Sequence, residues 1–143
     1  MVGIEAIATA FGSRLVTNAE LEKVHPAWDF QGLGERTGVF ARPIAIDGET
    51  ALDFAERAAC KLVDDGRLKP GEIDAVIFCT ETPDYVIPPN SCVLHQRLKL
   101  PTSVAAFDIT LACSGYPYAL MLARSMIDGG AAKNVLVATA DTY

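Results

Sequence analysis

The stretch Phe107–Gly130, FDITLACSGYPYALMLARSMIDGG, sets one cysteine between a strand-like run and a helix-like run. "SVAAFDIT" is a nearly continuous apolar run, the mark of a strand buried on both faces. In "CSGYPYALMLARSMIDGG" apolar residues fall nearly all round a helical wheel, which predicts a buried helix. A strand ending near Thr110 and a helix starting near Ser114 place the Cys113 thiol beside a helix N-terminus. Unpaired backbone N–H groups there favour a thiolate and can bind a developing oxyanion. In α/β sheets such sites lie at the carboxyl ends of strands. A cysteine between alanine and serine at such a junction fits plain packing as well, so position alone leaves both readings open.

The same alternation extends outward. Asp47–Gly66 is the clearest amphipathic helix: Ala51, Phe54, Ala55, Ala58, Ala59, Leu62 and Val63 recur at helical spacing, and Gly66 is its C-cap. "KPGE" is a turn, "IDAVIFCT" a buried strand, "ETPDYVIPPN" a loop, Ser91–Leu98 a second helix and "NVLVATADT" a third buried strand. Toward the N-terminus, Val2–Gly12 reads as a strand, and "TNAELEKV" as a short helix with Asn18 as N-cap. His25–Gly34 reads as an irregular loop. "RTGVFARPIA" is a turn into a strand that Pro43 confines to an edge. Strands alternating with helices predict an α/β fold with a mostly parallel sheet, and residues 1–143 contain no linker. The sequence ends directly after a buried strand, whose far edge calls for cover by another segment or chain.

Composition narrows the function. Half of the 143 residues are apolar and the net charge is −6, which argues against nucleic acid as a partner. A local basic patch around Arg36 and Arg42 remains available to an anionic ligand. The N-terminus has no basic region and carries Glu5 inside its apolar run, unlike a signal peptide. No stretch is long and apolar enough to span a membrane, so the expected compartment is the cytoplasm. Four cysteines without a C-x-x-C spacing and two histidines predict no metal site and no disulfide framework. Cys60, Cys79 and Cys92 read as free buried thiols. His25 and His95 read as bystanders, the latter on a helix surface, and Glu81 and Asp84 as loop caps.

The residues also resemble a known family. "AFDITLACSGYPYALMLARSMIDGGAAKNVLVATAD" is similar to the nucleophile segment of β-ketoacyl-ACP synthase III enzymes of the thiolase superfamily. Upstream, "TNAELEK", "ERTGVFARPIA" and "DAVIFCTETPDYVIPPNSCVLHQRLKLP" resemble the family's first helix, its Arg-Thr-Gly segment and the strand, loop and helix before the nucleophile. The resemblance covers essentially the whole chain. It implies the N-terminal half of a thiolase-like fold, with Cys113 as the cysteine that takes an acyl group from acyl-CoA as a thioester. It implies that Arg36 contacts CoA, and that Ile87 reaches across a homodimer interface to border the partner's acyl pocket. Where the family commonly has a tryptophan stacking on the CoA adenine this chain has Gly32, which leaves three readings open: Trp28 or Phe30 stacks instead, the acyl carrier is a different one, or CoA binds weakly.

The resemblance further implies condensation with malonyl-ACP, with loss of CO2. Acyl carrier protein is thus a partner, acyl-CoA a substrate, and no cofactor is needed. The family's histidine and asparagine come from a C-terminal half that these residues do not include, so the chain alone is expected to condense little or nothing. It reads as a fragment of a longer polypeptide, as one chain of a split enzyme, or as a non-catalytic half-domain that dimerises. An acyltransferase or a hydroxymethylglutaryl-CoA-synthase-like condensation is the alternative within the superfamily.

Overall fold

A computed structural model describes residues 2–142. It divides them into two compact units: residues 11–49, and residues 50–142 with the N-terminal segment up to Ala10.

In the smaller unit, strands β1 (Arg14–Thr17) and β2 (Ala41–Ile44) pair antiparallel, with Val16 opposite Arg42. Pro43 is tolerated because both strands of a two-stranded sheet are edges. Helices α1 (Asn18–Val24) and α2 (Phe30–Thr37) lie between them in sequence. The N-cap of α1 is Thr17, not Asn18: the Glu20 amide donates to Thr17 Oγ1 while the Glu20 carboxylate accepts from the Thr17 amide, a closed capping box. Asn18 is instead a buried brace. Its Nδ2 donates to the Phe30 and Val39 carbonyls, and its Oδ1 accepts from Arg42 Nη2 at 2.6 Å. The expected loop over 25–34 is shorter than the sequence suggests. Asp29 caps the Gly32 amide at 2.7 Å and starts α2 despite two glycines, and Gly38 ends the helix at φ +76°.

The larger unit is an α/β sandwich around strand β3 (Ala75–Cys79), every residue of which is buried. Strands β4 (Ala105–Ile109) and β5 (Val135–Thr139) flank it, both parallel to it, in the order β4-β3-β5. Alternation along β3 sends Val76 and Phe78 to one face and Ile77 to the other. The first face meets Leu52, Ala55 and Ala59 of α3 (Ala51–Asp64) and Leu94 of α4 (Asn90–Arg97). The second meets Ala119 and Ala123 of α5 (Gly115–Asp128). Burying each large aliphatic or aromatic side chain of β3 stabilises the fold by roughly 1.5–3 kcal/mol. Helix α3 opens on a Thr50–Asp53 capping box, and Gly66, at φ +70°, follows its end. The two helices over the first face are tied by Arg97, whose Nη1 lies 2.8 Å from Asp53 and 2.7 Å from Glu56.

Three expectations change here. Val2–Gly12 forms no strand, because a strand needs a ladder partner and none of the described strands pairs with it; Lys61 Nζ donates to Thr9 O at 2.6 Å. Strands β4 and β5 are mostly half-buried rather than buried, since each pairs with β3 on one side only. Helix α5 is buried along a stripe of small residues, while Tyr116, Tyr118, Met121 and Leu122 are exposed on its other faces. An apolar helix wheel signals which faces want cover, not that this chain supplies it. Among the described residues no helix is long and apolar enough to cross a membrane.

Candidate active site

Because β3 and β4 are parallel, the turns that follow them lie at the same edge of the sheet. The turn after β4 runs Thr110–Ser114 and delivers Cys113 immediately before Ser114, the N-cap of α5. Leu111 to Ser114 are all exposed, so the Cys113 thiol faces solvent at the carboxyl edge of the sheet. The turn closes with Gly115 N–H donating to Ala112 O at 2.7 Å. Ser114 offers no side-chain cap to α5, which leaves the helix start to backbone geometry alone.

Gly115 is a close-approach position. A Cβ there would collide with Cys79 Sγ and lie 3.1 Å from Leu111 Cβ. Cys79 ends the central strand, is buried, and donates its S–H to Leu111 O at 3.4 Å. Burial pushes the Cys79 thiol up, with the Asp141 and Glu81 carboxylates adding to the shift, so the group keeps its proton at neutral pH. Cys60 and Cys92, expected to be buried, are exposed: they sit on outward faces of α3 and α4.

The turn after β3 is built differently. Asp141 Oδ1 accepts from the Glu81 amide at 2.7 Å, from Thr80 Oγ1 at 3.0 Å and from the Thr82 amide at 3.2 Å. Asp84 is a loop cap, as expected: its Oδ1 accepts from the Leu52 amide and from Asn90 Nδ2, and its own amide donates to Asn90 Oδ1. The Asp108 carboxylate, one residue before the end of β4, accepts from the Asn90 and Ser91 amides at 2.8 Å each and so caps α4 from outside. Between these fixed points Val86 and Ile87 project with 94% and 84% of their surface exposed. Asp108 and Asp141 were missed as structural groups. A lone carboxylate inside the apolar run "AAFDIT" is the signal that marks the first.

The remaining candidates belong to the smaller unit. Arg36 is exposed in the last turn of α2. Arg42 is not free for a ligand in the same way, because it braces Asn18. Trp28 is exposed and stacks on Phe30, ring centroids 5.9 Å apart with planes 16° from parallel, and the two line a shallow pocket with Leu21 and His25. A Cβ at Gly32 would collide with the Asp29 carboxylate, so a tryptophan there would displace the α2 cap. His95 lies half-buried with Nε2–H donating to Pro101 O at 2.9 Å, a structural engagement at the end of α4. Among the described residues no group of three or more His, Cys, Asp or Glu side chains is placed to hold a metal ion.

A sequence model of the family described as 3-oxoacyl-[acyl-carrier-protein (ACP)] synthase III matches residues 107–143, the segment that holds the end of β4, the turn, α5 and β5. A β-ketoacyl-[acyl-carrier-protein] synthase III of Thiobacillus denitrificans is 42% identical over 91% of this chain. The chain is similar to β-ketoacyl-ACP synthase III enzymes over nearly its whole length. It spans 40% of the length of that relative. A crystal structure of a 3-oxoacyl-(acyl-carrier-protein) synthase III superposes with a TM-score of 0.92 at 43% identity, covering 98% of this chain and 42% of the other. A tetronic acid condensing enzyme superposes at 0.82 with 30% identity, covering 96% and 43%. The α/β architecture around β3 is thus that of thiolase-fold β-ketoacyl-ACP synthase III enzymes.

Proposed function

We propose that this chain is the N-terminal part of a ketosynthase-III-like acyltransferase of fatty acid biosynthesis, cytoplasmic and homodimeric, with Cys113 as its nucleophile. The observation that carries the reading is an exposed cysteine at a strand–helix turn inside the segment that matches the family. The Cys113 thiolate attacks the thioester carbonyl of acyl-CoA; the tetrahedral oxyanion collapses, the CoA thiolate leaves and takes a proton, and the acyl group stays on sulfur. Malonyl-ACP then loses CO2. Its carbanion attacks the cysteinyl thioester, and the Cys113 thiolate is released. Arg36 contacts CoA, the Trp28–Phe30 stack offers a face to its adenine, and Ile87 reaches toward the partner's acyl pocket. The histidine and asparagine that assist these steps lie in a C-terminal half beyond these 143 residues, and without them the chain condenses little or nothing.

Intact mass spectrometry of the natural polypeptide after incubation with acyl-CoA tests the first step. One acyl group is expected on Cys113, on a polypeptide well above 15.3 kDa. Absence of an adduct, or an adduct that survives Cys113→Ala, removes the assignment. Alkylation of Cys113 at neutral pH no faster than in the unfolded chain favours the non-catalytic half-domain instead. A second reading, condensation with an acceptor other than malonyl-ACP, draws on the similarity to a tetronic acid condensing enzyme. Product analysis with malonyl-ACP against other acceptors separates the two.

A further inference from the structure

We propose that Cys79 is a positioning residue that sets the turn carrying Cys113. The inference rests on reading Cys113 as the acyl-accepting nucleophile, and it concerns how the turn is held rather than what it transfers.

The Cys79 sulfur touches the turn at two points. It donates to Leu111 O, two residues before Cys113, and it occupies the space a Cβ would need on Gly115, two residues after. The nucleophile therefore stands at the apex of a span whose two feet rest on one buried atom. The residue that carries it is buried and anchored on both sides. Cys79 is 4% exposed and ends the central strand, and its carbonyl accepts from the Ala140 amide of the segment leaving β5. On the β4 side the next residue, Thr80, donates its amide to Ile109 O, so the strand end is anchored to both neighbours. The turn has no side-chain cap of its own, so the thiol beneath it supplies both the spacer and a side-chain bond to the backbone of Leu111. Ordinary core packing would ask only for volume at position 79. A seat asks also for a donor, and for an empty Cβ position at 115.

The test reads the rate of Cys113 alkylation by iodoacetamide at neutral pH, peptide by peptide, with the exposed Cys60 and Cys92 as internal references. Cys79→Ala is expected to slow Cys113 about five-fold, the scale of one weak hydrogen bond, and to leave the references unchanged. Cys79→Ser, which restores a donor, is expected to return most of the rate. Gly115→Ala should slow Cys113 at least as much as Cys79→Ala. Adding Cys79→Ala to Gly115→Ala should relieve it, because the sulfur is gone and the Cys79 Cβ lies at an ordinary 3.8 Å from the new methyl group. An unchanged rate in Cys79→Ala, a serine variant no closer to wild type than the alanine one, or a double variant no faster than Gly115→Ala would each overturn the proposal. Amide hydrogen exchange over 110–116 gives the same comparison without thiol chemistry: protection lost in Cys79→Ala and regained in Cys79→Ser supports the seat, and equal protection in all three refutes it. A Cys113 that responds to Cys79 but takes no acyl group sinks the acyl-transfer reading alone. An acyl adduct with a rate indifferent to Cys79 sinks the seat alone.

Discussion

The turns after β3 and β4 lie on adjacent strands at one edge of one sheet, and they are held by opposite means. The first is pinned by carboxylates: Asp141 gathers four donors from Thr80 to Thr82, and Asp84 binds both Asn90 and the start of α3. The second is held by backbone closure and contact with one sulfur, and its residues from Leu111 to Ser114 stay exposed. The contrast suits the role proposed for Cys113. A carboxylate beside it would oppose the negative charge that acyl transfer brings to the turn. Polar pinning lies one strand away, and the turn at Cys113 is fixed by shape.

The sharpest way to break the contrast is at Asp108, which joins the pinned loop to the strand that leads into the Cys113 turn. Asp108→Ala removes two charge-assisted bonds to the Asn90 and Ser91 amides, and a loss of about 3 kcal/mol is expected in urea unfolding, with Asp108→Asn losing less. Asp141→Ala comes next, at about 1 kcal/mol because the carboxylate is exposed. Its clearer signature is local: faster amide exchange at Glu81 and Thr82 with no change over 110–116. A matching change in both turns would show that they are one unit. The smallest effect is a control remote from both. Hydrogen bonding to Arg97 holds the Asp53 carboxyl below its usual range. Its stabilisation is thus complete above the unfolded value near 4 and is lost as pH falls through the lower folded value. Urea midpoints should decline on the acid side in the wild type, less so in Asp53→Asn, with Cys113 reactivity at neutral pH unaffected.

Much of this was legible beforehand for physical reasons. The run "AVIFC" has no polar residue to place in water, so a strand covered on both faces was its only comfortable state. The turn at Cys113 was legible because periodicity switches there from strand to helix. Other features depend on partners far away in the chain. An apolar run at 105–109 or 135–139 does not say how many neighbours it has, and 2–12 is a strand only beside another. Helix α2 was hidden by Pro26, Trp28 and two glycines, since its start relies on one Asp29 bond rather than on an apolar stripe. The α1 cap was readable, because Thr17 with Glu20 three residues on outranks Asn18.

Helix α4 carries a consequence for the order in which the chain matures. Pro89, its N-cap residue, has no capping side chain, and the carboxylate that serves its first amides arrives 18 residues later than Asn90. Eight residues are too few to persist as an isolated helix. A nascent chain that has emerged only as far as Arg97 therefore holds an unfinished helix, and synthesis of β4 is the event that completes it.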